Sequence, residues 1–139
     1  MFKKMLVAVD GSDLSFKALE HAAELAQMSG GELLLLTVAD ETTHSQHKRL
    51  GLFEEYTEKD GKVQLYNDIL NTMGEYAVKY NVRNENGKAA DVIIDVAKEV
   101  ECDTIVMGSR GLSGITELFC GSVSHEVIHR SEVPVIIVK

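Results

Sequence analysis

Two short clusters of glycine and serine are the residues most able to do chemistry. Gly108-Ser109-Arg110-Gly111 is followed by nine residues and then by Gly121-Ser122-Val123-Ser124. The first cluster closes an apolar run, Asp103 to Met107, and the second opens a segment with helical spacing. A glycine-rich loop that leaves a strand and ends at a helix N-terminus is suited to phosphate. With no Cβ in the way, backbone N–H groups close on an anion, and the helix dipole favours negative charge there. One glycine after a strand is ordinary turn punctuation. Glycines at this spacing, set between a strand and a helix, point to nucleotide binding.

A second pattern, His125-Glu126-Val127-Ile128-His129, matches the HExxH signature of zinc proteases. Such a helix offers two ligands on one face, and a third must come from elsewhere. Only ten residues follow, and they read as a turn and a strand. The core side of this helix is Val123 and Val127. At ~100° per residue His125 lies about 200° round from Val123, which turns the pair to solvent. The protease reading is therefore set aside for two surface histidines. His44 and His47 fall in a polar stretch and have no evident partner.

The elements that must position the glycine clusters follow from periodicity. Met5 to Val9 is a short apolar run of the kind buried on both faces of a sheet, and it ends in Asp10-Gly11-Ser12. Leu14 to Met28 has helical spacing, with Leu14, Ala18, Ala22 and Leu25 on one side. Ser12 or Asp13 caps its start and Gly30-Gly31 ends it. Leu33 to Val38 is a second strand. Residues 40 to 63 are polar and aperiodic, and the acidic run Glu54 to Asp60 reads as a solvated face. A helix is expected from Val63 to Tyr80, with Leu65, Ile69, Met73, Tyr76 and Ala77 inward. Asn81 to Asn84 is expected as a short strand, Ala89 to Val100 as a helix and Thr104 to Met107 as a strand. Gly121 to Arg130 is expected as a helix, and Val133 to Val138 as a final strand.

Strands and helices thus alternate to the end of the chain. Buried strands joined by right-handed crossover helices make a doubly wound parallel α/β sheet. Ligands in that architecture sit beyond the strand C-termini where the strand order reverses. Asp10 and Gly108 both stand at strand C-termini and line that crevice if the first and fourth strands are neighbours. The final strand, apolar throughout, is either a covered central strand or an edge that needs a partner. Pro134 near its start suits an edge.

Composition narrows the function. The chain of 139 residues is the size of one domain, with 45% hydrophobic and 26% charged residues. Its net charge is −8 and it has no cluster of Lys and Arg, which argues against nucleic-acid binding. A phosphate site here must be made locally positive by backbone dipoles, by Arg110 or by a metal ion. Cys102 and Cys120 have no metal-ligand spacing and read as buried thiols in a reducing compartment. The first apolar run stops after five residues, too short for a signal peptide core or a membrane span. A cytoplasmic protein without membrane contact is expected.

At this point a resemblance emerges. Leu6 to Ser12, Leu36-Thr37-Val38, Asp103 to Gly111, Gly121 to Ser124 and Val133-Pro134-Val135 resemble the universal stress protein family over nearly the whole chain. The resemblance implies a Rossmann-type sandwich of the adenine nucleotide alpha hydrolase-like kind. Its single domain, residues 1–139, would hold a five-stranded parallel sheet in order 3-2-1-4-5 and form a homodimer through the last strand. Members with the complete glycine motif bind ATP, and the motif is complete here. Carried across, Asp10 would contact the ribose and a magnesium ion held through the phosphates. Ala8, Val9 and Val38 would shape the adenine pocket, with Met107 and Gly108 against the nucleoside. Arg110 and Gly111 would border the phosphates, and Gly121, Ser122, Val123 and Ser124 would hold them. One departure is visible. The family often has Gly-x-Pro after the third strand, where this chain has Gly87-Lys88-Ala89, which loosens the turn beside the adenine pocket.

Three functions are compatible with these features: a nucleotide-dependent regulatory module with a protein partner yet to be named, a slow ATPase or phosphotransferase, and a dimeric interaction protein that needs no nucleotide. The chain has no P-loop GxxxxGK[ST] and no evident arginine finger from another element. An arginine finger alone is worth ~10³–10⁵ in rate. Binding with slow turnover is the expectation, and magnesium-dependent turnover of ~1 per second or faster would contradict it.

Overall fold

The computed structural model describes residues 1–39, 58–110 and 121–139. Expectations at Gly111, Cys120, His44, His47 and residues 40–57 lie outside the described residues. Along the chain the elements are β1 (Lys4–Ala8), α1 (Asp13–Ser29), β2 (Glu32–Ala39) and α2 (Glu58–Met73). They continue with β3 (Lys79–Asn86), α3 (Ala89–Glu99), β4 (Thr104–Gly108), α4 (Ser122–Arg130) and β5 (Val135–Val138). The strands form one parallel sheet in the order β3-β2-β1-β4-β5, as expected.

The central strands are apolar on both sides because helices cover both faces. Met5, Val7, Val9, Leu33, Leu35 and Val106 pack with α1 and α2 on one face. Leu6, Leu34, Leu36, Ile105 and Met107 pack with α3 and α4 on the other. Helix α1 presents Ala18, Ala22, Ala23 and Ala26 to the sheet, side chains short enough to let its backbone come close. Ser12 is its N-cap, accepting from Ser15 N–H at 3.2 Å, and Gly30 ends it in the left-handed region at φ 69°.

Several boundaries differ from expectation. The helix expected from Val63 to Tyr80 runs from Glu58 to Met73, and β3 starts at Lys79. Gly74 N–H still bonds to Leu70 O at 3.0 Å and Tyr76 N–H to Met73 O at 3.1 Å, after which the chain extends. Tyr76, Val78, Tyr80 and Val82 then alternate toward the core with period two. Tyr76 lies three residues beyond Met73 and so fits a helical stripe by coincidence. The resulting β3 is longer than expected and pairs with the full length of β2, Glu32↔Lys79 to Ala39↔Asn86. The last strand is shorter, beginning at Val135, although Pro134 O still accepts from Ile105 N–H at 3.0 Å.

The turn without the family's proline is well anchored. Gly87 N–H donates to Ala39 O at 3.1 Å, and Ala89 takes the first position of α3, where proline is also favoured.

At the opposite end of the sheet Asp103 joins the N-terminus to β4. Its Oδ2 accepts from Lys3 N–H at 2.8 Å and Lys4 N–H at 3.2 Å, and its Oδ1 from the Thr104 hydroxyl at 3.0 Å. Burial pushes this carboxyl up, but the hydrogen bonds outweigh burial and hold its pKa below the usual Asp value. A depressed folded pKa stabilises the fold above the unfolded value of ~4 and ceases to do so as pH falls through the folded value. Asp103→Asn should therefore lower the urea midpoint at neutral pH. The gap from the parent should close as pH drops below ~4. A gap that stayed constant through that range would contradict the assignment.

Among the described residues no helix is long and apolar enough to cross a membrane. Cys102 is buried, and burial pushes its thiol up, as suits an inert structural cysteine.

Candidate functional site

The sheet order makes β1 and β4 neighbours, so their C-terminal ends open on the same edge of the sheet. Strand order reverses here, with β2 on one side of β1 and β4 on the other. The condition on which the crevice depended is met.

Three side chains form a floor at this edge. Val38 on β2, Ala8 on β1 and Met107 on β4 all belong to the layer that faces α3 and α4. Ala8 stands on the middle of the three strands, in register with Leu36, and Val38 lies two residues further along β2. Val9 does not join them. Its side chain is 1% exposed in the opposite layer, so it can serve this site only through its backbone. Asp10 follows at the surface, where its Oδ1 accepts from Ser12 N–H at 2.9 Å and shapes the turn into α1.

The two glycine clusters, separate in sequence, are joined through one carbonyl. Ser109 O accepts from Gly121 N–H at 2.6 Å and from the Ser124 hydroxyl at 2.9 Å. Ser109 N–H in turn donates to Val138 O at 2.8 Å, so the junction is continuous with the sheet. Ser109 is buried, and sequence reasoning gave it no role. Its only sequence signal is a small polar residue between a buried strand and a glycine loop.

Helix α4 starts at this junction. Gly121 is its N-cap, and its first intrahelical bond runs from His125 N–H to Gly121 O at 3.0 Å. The N–H groups of Ser122, Val123 and Ser124 precede that bond and have no acceptor within the helix. They are available to an anion. The Ser124 hydroxyl is not, since it is buried and turned to the carbonyls of Ser109 and Gly121 at 2.9 Å each. Ser122 is exposed, and Arg110 is half-buried.

The two described glycines of the motif differ in what they make room for. A Cβ on Gly108 would come within 2.9 Å of Leu14 Cβ and 3.1 Å of the Leu14 carbonyl carbon. Gly108 is glycine because α1 packs against it. Among the described residues, a Cβ on Gly121 would meet nothing nearer than Ser109 O at 3.5 Å and Arg110 Cα at 3.6 Å, which is ordinary contact. Its φ of −60° suits any residue. Among the described residues no contact requires glycine at this position.

A model of the universal stress protein family matches residues 1–139. The chain belongs to the universal stress protein family. The universal stress protein YxiE of Bacillus subtilis (strain 168) is 39% identical over 150 residues, covering 100% of both chains. Among solved structures, MJ0577 of Methanocaldococcus jannaschii superposes with a TM-score of 0.79 at 28% identity, covering 100% of this chain and 96% of that one. A universal stress protein solved in complex with cAMP superposes with a TM-score of 0.71 at 26% identity, covering 98% and 95%. These likenesses agree with the Rossmann-like sheet described above.

One cavity of this universal stress protein borders the site at Val38. It measures about 130 Å³ and lies between α2 and the ends of β2 and β3, lined by Thr37, Val38, Leu65, Tyr66, Ile69 and Asn84 among the described residues.

Proposed function

We propose that this universal stress protein binds an adenine nucleotide, ATP foremost, at the C-terminal edge of β1 and β4, and acts as a nucleotide-dependent regulatory module. The observation that carries the reading is the start of α4 beside the ends of β1 and β4, where the N–H groups of Ser122, Val123 and Ser124 have no acceptor within the helix. The cAMP complex of a relative at 26% identity supports an adenine ligand.

The residues divide the work by chemistry. Val38, Ala8 and Met107 give a flat apolar floor for a base. Asp10 receives ribose hydroxyls and faces a magnesium ion held through the phosphates. The N–H groups of Ser122, Val123 and Ser124 and the Arg110 guanidinium would meet the phosphates, with Gly111 next in the motif and Gly108 beside the nucleoside. Ser124 contributes its side chain to the scaffold and only its N–H to the anion. A bound nucleotide supplies negative charge that ties α4 to the end of β4. Its phosphates meet a helix N-terminus and one arginine, with no P-loop lysine, an arrangement for holding rather than for rapid transfer.

Calorimetry on nucleotide-stripped protein with ATP, ADP, AMP and GTP tests the reading. Adenine nucleotides should bind near one per chain, and ATP more tightly than AMP. Absence of heat with all of them would overturn it.

The same reading includes a homodimer through β5. Pro134 O and Val138 O point to β4, as their bonds to Ile105 and Ser109 show. By alternation Val135 and Ile137 direct their N–H and C=O groups to the open side of the strand. An apolar edge of this kind invites pairing with a second copy. Ile137→Pro removes an outward donor without removing a bond to β4. Sedimentation should show the parent as a dimer and Ile137→Pro as a folded monomer. An unchanged dimer would place the interface elsewhere.

A further inference from the structure

The HExxH segment takes on a different meaning once its side chains are in place. His125 and His129 are exposed on α4, their ring centroids 4.5 Å apart and their planes at 67°. The intervening glutamate is engaged elsewhere. Glu126 Oε1 lies 3.6 Å from Lys88 Nζ, and its Oε2 lies 3.4 Å from Arg130 Nη1. Arg130 also bonds to Asp91 of α3 at 2.6 Å and holds that carboxyl below the usual range. A zinc protease would aim this glutamate at the metal-bound water. Here it is tied into the bridge between α3 and α4, so the pattern lacks the base that hydrolysis needs.

What remains is a pair of imidazoles one helical turn apart. Neutral imidazole suits zinc, copper and nickel ions. Two nitrogens at ~2.0–2.1 Å from a tetrahedral metal stand roughly 3.3 Å from each other. Exposed rings with centroids 4.5 Å apart reach that separation by turning about χ1 and χ2, with no movement of the helix. Among the described residues no group of three or more His, Cys, Asp and Glu is placed to hold a metal. The site therefore keeps open positions for water.

We propose that His125 and His129 form a two-imidazole chelate for a borderline divalent transition metal of the zinc and copper class. The chelate spans one turn of α4 and braces the helix whose first turn is fastened to β4 through Ser109. Metal occupancy would be read out as stability of α4. The proposal stands without the nucleotide reading, because the histidines lie on the outer side of the helix.

The test is titration of chelator-treated full-length protein with Zn²⁺ alone, by calorimetry and by thermal unfolding. The parent should bind close to one Zn²⁺ per chain and melt at a higher temperature with it. H125N and H129N should each weaken binding at least ~10-fold and abolish the rise in melting temperature. The double variant should be little worse than either single one, because a chelate is lost when one ligand goes. H44N/H47N should bind as the parent does. Four results would overturn the proposal: no binding by the parent, a change below twofold in both single variants, loss in only one of them, or loss in H44N/H47N.

Discussion

Gly121→Val should fold as the parent does and lose adenine nucleotide binding by at least ~100-fold. The fold tolerates the side chain because, among the described residues, a Cβ there finds only ordinary contacts at 3.5 and 3.6 Å, and the backbone φ of −60° is open to valine. Replacing glycine at an N-cap by an apolar residue costs about 1 kcal/mol. The ligand has no such tolerance. Valine's methyl groups would stand at the mouth of the helix N-terminus, between the anion and the N–H groups of Ser122 and Val123. A hydrogen bond to a charged group contributes ~1.5–3 kcal/mol, so losing two gives the stated factor or more. Calorimetry paired with a thermal melt measures both quantities on one sample. Undiminished affinity in a folded Gly121→Val protein would remove the phosphate role from α4.

The opposite pattern is expected at the other end of the motif. Gly108→Ala should destabilise the protein by ~1–3 kcal/mol, as overpacking a tight contact does. The obstacle is partly main chain, with Leu14 C at 3.1 Å and Leu14 O at 3.2 Å from the new Cβ. Leu14→Ala keeps its own Cβ, so it should not rescue the variant. The new methyl group faces α1 and not the floor of Ala8, Val38 and Met107. Nucleotide affinity measured well below the melting temperature should therefore stay within a few-fold of the parent. Urea unfolding gives the first number and calorimetry the second. A stable Gly108→Ala protein that failed to bind would show that the contact with Leu14 is less tight than described, and that Gly108 meets the ligand directly.

These two glycines also show how much could be read from the chain. Their spacing, between an apolar strand and a helix, pointed to a crevice at the strand ends, and the alternation of elements to a doubly wound parallel sheet, while the strand order came from the family resemblance and is what makes β1 and β4 neighbours. Which glycine serves packing and which leaves room for a ligand depends on what lies across from each. No sequence pattern announces that Leu14 comes within 2.9 Å of Gly108. The same limit applies to Val9 and Ser124. Val9 is adjacent to Ala8 and Asp10, yet period two sends its side chain to the opposite layer. Ser124 has the expected type for a phosphate ligand, but its hydroxyl joins β4 to α4. Where Tyr76 happened to continue the stripe of Leu65, Ile69 and Met73, the helical period overran Gly74, and β3 was read too short. The histidines of α4 were legible as a solvent-facing pair, and the placement of Glu126, with no group of three metal ligands among the described residues, separates metal binding from peptide hydrolysis.

The central claim is that phosphate meets the first turn of α4 where it joins β4. Amide chemical-shift mapping during an ATP titration tests it most directly. The account predicts the largest shifts at the N–H groups of Gly121, Ser122 and Val123 and at Gly108 and Arg110, with smaller ones at Ala8 and Val38. Shifts confined to Leu65, Tyr66 and Asn84 around the cavity under α2, or no shifts at α4 at saturating ATP, would contradict it.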